Sequence, residues 1–156
     1  MVFQGRTVQV RVTTVSKTDF SNWLTCPGYA WAMIHQPHLA LADDASARRR
    51  ELDGSQVETL VRQFYPDSLS IDTDDPDEAA ALSAEALASG TTAIFQPTVI
   101  TDRGLLARAD LLIREVDGWH LVEIKSSAAD PRKPRSLVKK YLPDVSFQAL
   151  ALREAG

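Results

Sequence analysis

Cysteine is almost missing from this chain. The single Cys26 excludes an intrachain disulfide and a four-cysteine zinc site, and is expected to be a small buried apolar residue rather than a nucleophile. Long apolar runs are also lacking. No stretch approaches the ~20 residues needed to cross a bilayer, so a membrane partner is not expected. Residues 1–15 carry Arg6 and Arg11 but no apolar segment of the secretory kind, which makes the cytoplasm the expected compartment. Neither internal repeats nor low-complexity tracts occur. His35 and His38 have a metal-like spacing, but they span Pro37 and have no acidic neighbours, as surface histidines do.

What is present fits one globular domain over residues 1–156, with 44% apolar and 24% charged residues. The net charge of −4 argues mildly against a nucleic-acid partner, but charge is unevenly spread. Residues 1–50 hold six basic and three acidic residues, 51–100 one basic and ten acidic, and 101–156 ten basic and eight acidic. Basic residues cluster at Arg48-Arg49-Arg50 and between Arg132 and Lys140, either as a local groove or as solvated surface.

Patterning predicts the elements in order. Val8, Val10 and Val12 alternate with polar residues, so 7–14 reads as a strand or an ordered lead-in. Ser16-Lys17-Thr18-Asp19 resembles a capping box that opens a helix through Trp23. Pro27 suits the first turn of a helix over 28–35. A longer helix is expected over 45–64, with Gly54 costing ~1 kcal/mol and offering a break; Tyr65-Pro66 ends it. A short strand at 69–71 and an acidic turn at 72–77 precede an alanine-rich helix over 76–88, capped by Asp75 and stopped by Ser89-Gly90. Residues 92–101 are β-prone, with an edge or bend at Pro97. A hairpin over 105–125, a polar loop over 126–135 and a helix over 136–154, kinked or split at Pro143, complete the chain. This order predicts an α/β fold, a small mixed β-sheet flanked by α-helices.

The hairpin carries the chemistry. Asp117-Gly118 between β-prone runs is a strong turn signal. A two-residue loop there pairs Val116 with Trp119, so partner numbers sum to 235. Asp110 then lies opposite Lys125, and Leu112 opposite Glu123. Side chains alternate faces with a period of two, so Asp110, Glu123 and Lys125 share one face and His120 the other. An odd-length loop or a bulge would break this parity. Two carboxylates and an ammonium on one face are suited to holding a divalent cation and a water beside a phosphate.

Asp110, Glu123-Ile124-Lys125 and the following Ser126-Ser127 together resemble the PD-(D/E)XK nuclease superfamily, although Ala109 stands where Pro is frequent. Further residues are similar to its RecB-like branch: Phe147-Gln148 after Asp144-Val145, Gly54-Ser55-Gln56-Val57-Glu58, Ser16 to Phe20, and Trp23 to Pro27 with Trp31. Phe95-Gln96-Pro97 is similar to a poorly characterised bacterial subfamily. The resemblance covers residues 16–156. It implies a restriction-endonuclease-like core. It also implies a metal-dependent nuclease acting on DNA phosphodiesters in repair, recombination or phage defence. Asp110, Glu123 and the Ile124 carbonyl would ligate Mg²⁺ or Mn²⁺, with Glu58 as a third acidic ligand. Lys125 would orient a water or stabilise the transition state, and Gln148 would hydrogen-bond that water or the phosphate. The bland alternatives are an exposed helix glutamate for Glu58 and a solvent-facing residue for Gln148.

The chain departs from that branch in two ways. The four-cysteine iron–sulphur cluster of some members is excluded by the lone Cys26. The chain also stops on the glutamine helix, where one or two more strands are usual. It is thus either a minimal version or a piece that works with a further domain or a helicase partner. The competing function is a catalytically inactive nuclease-fold domain that binds nucleic acid or scaffolds a larger protein. Trp23, Trp31 and Trp119 are expected in the core, with base stacking as the alternative. The sequence leaves oligomeric state open.

Overall fold

The computed structural model describes residues 14–40, 45–126 and 134–156. Most of the expected strand at 7–14 and most of the loop at 126–135 lie outside them. The described residues form a mixed α/β fold with five α-helices and two small mixed sheets, where one sheet was expected.

The element order begins with β1 (Val15–Ser16), α1 (Lys17–Thr25), α2 (Pro27–His35) and α3 (Ala45–Arg62). It continues with β2 (Leu69–Ser70), α4 (Pro76–Ala88), β3 (Ala93–Phe95), β4 (Thr98–Ile100), β5 (Leu105–Arg108), β6 (Leu111–Glu115), β7 (Gly118–Val122) and α5 (Pro134–Ala155). The caps follow the sequence. Ser16 and Asp19 close a full capping box on α1, and Asp75 accepts from the Asp77 and Glu78 amides at the start of α4. Gly54 does not break α3, and α5 runs on through Pro143 without splitting.

The two sheets, β1-β5-β4 and β2-β3-β6-β7, share one bent hairpin. Partner numbers sum to 206 on both sides of the break, in β4–β5 and in β3–β6 alike. Two backbone bonds bridge the bend, Ala109 N–H to the Pro97 carbonyl and Gln96 N–H to the Asp110 carbonyl. Pro97 has no N–H to give the ladder, and Gln96 takes a φ of +55°, so the strand turns there. Beside this hairpin, β1 runs parallel to β5 and β7 antiparallel to β6, on the same flank. They therefore run toward each other. β1 stops level with Leu106 and β7 level with Leu111, and the backbone of 107–110 lies in the gap between them.

Three clusters hold the frame. Ile94 packs with Ile71, Ala79, Ala86, Leu87 and Trp119 under α4. On the other face of that sheet Phe95, Leu111, Val122 and Ile124 pack with Val61 and Tyr65, from α3 and the turn after it. Val99, Ala107, Phe147 and Ala151 join α5 to the smaller sheet, and Phe20 of α1 stacks on Phe147 with ring centroids 5.2 Å apart. Trp23, Trp31 and Cys26 are exposed, against the core expectation, because α1 and α2 pack on each other and present these side chains outward; Trp119 alone of the tryptophans packs against a core. No helix among the described residues is long and apolar enough to cross a membrane.

The β6–β7 hairpin differs from the expected register. Leu111 pairs with Val122 and Glu115 with Gly118, so partner numbers sum to 233 rather than 235. Val116 and Asp117 form the loop, without positive φ, and Gly118 takes φ +136° as the last turn residue, a position that type I turns give to glycine. The slip is two residues, so every side chain keeps its expected face. Leu112 therefore faces Leu121 rather than Glu123, and Asp110 comes level with Glu123 rather than Lys125. Gly118→Ala should then cost about 1–2 kcal/mol in chemical denaturation, because alanine is strained at that φ. Asp117→Ala should stay within about 0.5 kcal/mol. Equal effects would contradict this turn.

Candidate active site

Four of the expected residues meet in the gap between β1 and β7. Glu123, just past β7, is at the centre, with its side chain only 6% exposed. Its Oε1 takes Lys125 Nζ at 2.5 Å and Lys17 Nζ at 3.2 Å, and its Oε2 takes Gln148 Nε2 at 2.6 Å. Asp110, at the bend, accepts the Ile124 amide on Oδ2 at 2.7 Å, while its Oδ1 takes no hydrogen bond among the described residues. What Ile124 visibly contributes is thus its N–H, and its side chain packs in the Phe95 cluster.

Gln148 is fully buried on α5. Its Nε2 also donates to the Asp144 carbonyl at 3.2 Å. Both neighbours of that nitrogen are acceptors, so the amide cannot be flipped without setting oxygen against oxygen. This leaves Gln148 Oε1 buried with no partner among the described residues. A buried acceptor left unmade costs ~1–3 kcal/mol, and in a site it marks a place for an absent donor.

The electrostatics follow from burial and neighbours. Burial and the Glu123 charge raise the Asp110 pKa, outweighing the Ile124 amide and the two lysines. Burial also pushes Glu123 up, but the hydrogen bonds from Lys125 and Gln148 and the Lys17 charge win, and its pKa is lowered. For Lys125, burial acts downward and the carboxylates of Glu123, Asp110 and Asp144 prevail, so its pKa is raised. Asp110 is thus the carboxylate of the pair whose charge is disfavoured, by burial and by the like charge beside it.

Glu58 does not join this cluster. Its Oε1 pairs with Arg62 at 2.7 Å, one helical turn on, and its Oε2 accepts Gln96 Nε2 at 3.2 Å. Gln96 links the two, with its side-chain amide on Glu58 and its backbone N–H on the Asp110 carbonyl. Glu58 instead lines a separate polar cavity of about 270 Å³ with Asp72, Asp74, Gln96 and Arg108. Among the described residues no group of three or more His, Cys, Asp or Glu stands ready to hold a metal.

The donor set still fits a hard divalent ion at Asp110 and Glu123. It offers carboxylate oxygens, one of them unbonded, beside an orphaned buried amide oxygen suited to a coordinated water. Lys17, Tyr141 and Asp144 are neighbours that sequence reasoning missed. Asp144 is four residues before Gln148 on one helix face, and its charge acts on Lys125; the Tyr141 ring lies 5.4 Å from Lys125 Nζ. The other candidates are elsewhere. His120 pairs with Glu115 on the exposed hairpin tip, and His35 and His38 are on the surface. Arg49, Lys139 and Lys140 are exposed, and the rest of both basic clusters lies outside the residues whose side chains are described.

No protein-family model, curated protein or solved structure matches the chain.

The Asp110 shift has a sign that can be tested. A group whose folded pKa is raised makes the protein less stable as pH climbs through that pKa. Asp110→Asn removes the charge and keeps an oxygen for the Ile124 amide. At pH 7 without metal it should raise stability by about 1 kcal/mol, or roughly 3 °C in Tm, with the gain vanishing in acid where Asp110 is protonated. A variant less stable than wild type at pH 7 would contradict the like-charge strain.

Proposed function

We propose that this chain is a metal-dependent nuclease that hydrolyses DNA phosphodiester bonds, built on a restriction-endonuclease-like core and acting in repair, recombination or phage defence. The observation that carries the reading is the meeting of Asp110, Glu123 and Lys125 with a buried Gln148 that holds Glu123 and keeps one oxygen orphaned. A purely structural ion pair has no need of that orphan or of a second, destabilised carboxylate.

Asp110 and Glu123 would hold Mg²⁺ or Mn²⁺. When bound, the ion supplies charge neutralisation at the scissile phosphate and acidifies a water. The protein's own groups do the rest. Lys125, kept protonated by its carboxylate neighbours, places a fixed positive charge where the phosphate becomes more negative. Gln148 Oε1 would accept a hydrogen bond from the attacking water and so orient it. The Ile124 amide fixes one oxygen of Asp110, leaving the other for the ion. A further domain or a helicase partner would supply surfaces beyond this gap.

One observation favours the second reading, a catalytically inactive domain that binds nucleic acid or scaffolds a larger protein. Glu58 is already satisfied by Arg62 and Gln96, which leaves the site two carboxylates.

The two readings separate in one assay, cleavage of linear single-stranded and duplex DNA with Mg²⁺, Mn²⁺ or EDTA. The nuclease reading expects metal-dependent cutting that Lys125→Ala lowers about 10²–10³-fold without weakening metal binding. DNA binding by folded protein with no cutting under any metal would favour the inactive domain.

A further inference from the structure

The ion pair between Lys17 and Glu123 has no part in the scheme above. Lys17 is the first residue of α1, and Phe20, one turn on, anchors that helix to Phe147 of α5. Its position is an odd one for a cation, since the start of a helix carries the positive end of the dipole. The acidic partner of that turn, Asp19, is spent on Ser16 in the capping box. What holds the ammonium is Glu123 Oε1, across the gap between β1 and β7.

Both oxygens of Glu123 are therefore engaged by this chain, Oε1 by two ammonium groups and Oε2 by Gln148. A divalent ion can coordinate Glu123 only where a donor gives way. The three donors are held unequally. Gln148 is fully buried and makes a second bond to the Asp144 carbonyl. Lys125 is closer, at 2.5 Å, and is further held by the charge of Asp144 and by the Tyr141 ring. Lys17 sits further off, at 3.2 Å, with Glu123 as its one ion-pair partner among the described residues.

We propose that Lys17 acts as an internal counter-ion: it neutralises the Glu123 carboxylate in the free protein and is the group displaced when a divalent cation binds. The inference rests on the metal reading of the site. It assigns the two lysines opposite duties. Lys125 stays with the carboxylates through metal binding, whereas Lys17 competes with the ion. Without Lys17 the ion meets one competitor fewer, and affinity must rise even though a site contact has been removed. A merely structural lysine predicts the reverse, because losing it would loosen Glu123 and weaken binding.

The test is a Mn²⁺ titration of the purified protein without nucleic acid, followed by calorimetry and by the spin-resonance signal of free Mn²⁺. Met is as good a helix former as Lys, so Lys17→Met leaves α1 intact. It should bind Mn²⁺ about tenfold more tightly than wild type, a coupling of ordinary size. Lys17→Arg keeps the charge and should stay near wild type, while Glu123→Gln should lose the site. Mn²⁺ binding that depends on Glu123 but is unchanged or weakened in Lys17→Met overturns the inference alone. No binding by wild type and Lys17→Met, or full binding by Glu123→Gln, defeats the metal reading and the inference with it.

Discussion

A carboxylate almost out of reach of water must be matched by donors, and Glu123 is that carboxylate. At 6% exposure it is screened far less than the exposed Arg103–Glu154 pair, which is worth about 0–1 kcal/mol. Stripping a buried charge of its partner typically costs ~3–5 kcal/mol, so the groups around Glu123 are tied to it. They come from three distant parts of the chain: Lys17 from α1, Lys125 from the end of the hairpin, and Gln148 from α5. The Phe20–Phe147 stack fixes the two helices against each other, and so fixes the distance from Lys17 to Gln148.

The gap itself is a consequence of topology. Two strands that approach each other along one flank of a longer strand cannot both continue, and where they stop the sheet has no further partner to offer. Backbone groups there must be satisfied by side chains, as the Ile124 amide is by Asp110. The bend at Gln96-Pro97 lies opposite, so the strand carrying Asp110 is turned just where its neighbours end. One local irregularity thus turns the chain at Asp110 and, through the Gln96 side chain, engages Glu58.

Much of this was legible in the sequence where local rules decide. The capping box at Ser16, the Asp75 cap and the bend at Pro97 rest on neighbours a few residues apart, and the common face of Asp110, Glu123 and Lys125 on a single hairpin. The pairing within the hairpin is not legible in the same way, since Asp-Gly serves either as the two corners of a turn or as its last two positions. The two alternatives differ by an even number, so the faces are the same in both. Long-range facts were not legible. Nothing near Lys17 in sequence points to Glu123, and nothing near Glu58 shows that Arg62 and Gln96 will claim it. Cys26, Trp23 and Trp31 look like core residues by type, but α2 packs on little besides α1 and leaves them outside.

Whether Asp110 and Glu123 form a divalent-cation site served by Gln148 can be seen by anomalous scattering from Mn²⁺ in crystals of the protein. Such a site gives a peak about 2.2 Å from Asp110 Oδ1 and from a Glu123 oxygen, with a coordinated water within hydrogen-bond reach of Gln148 Oε1. A peak in the Glu58–Asp72–Asp74 cavity alone, or no peak at millimolar Mn²⁺, would contradict it.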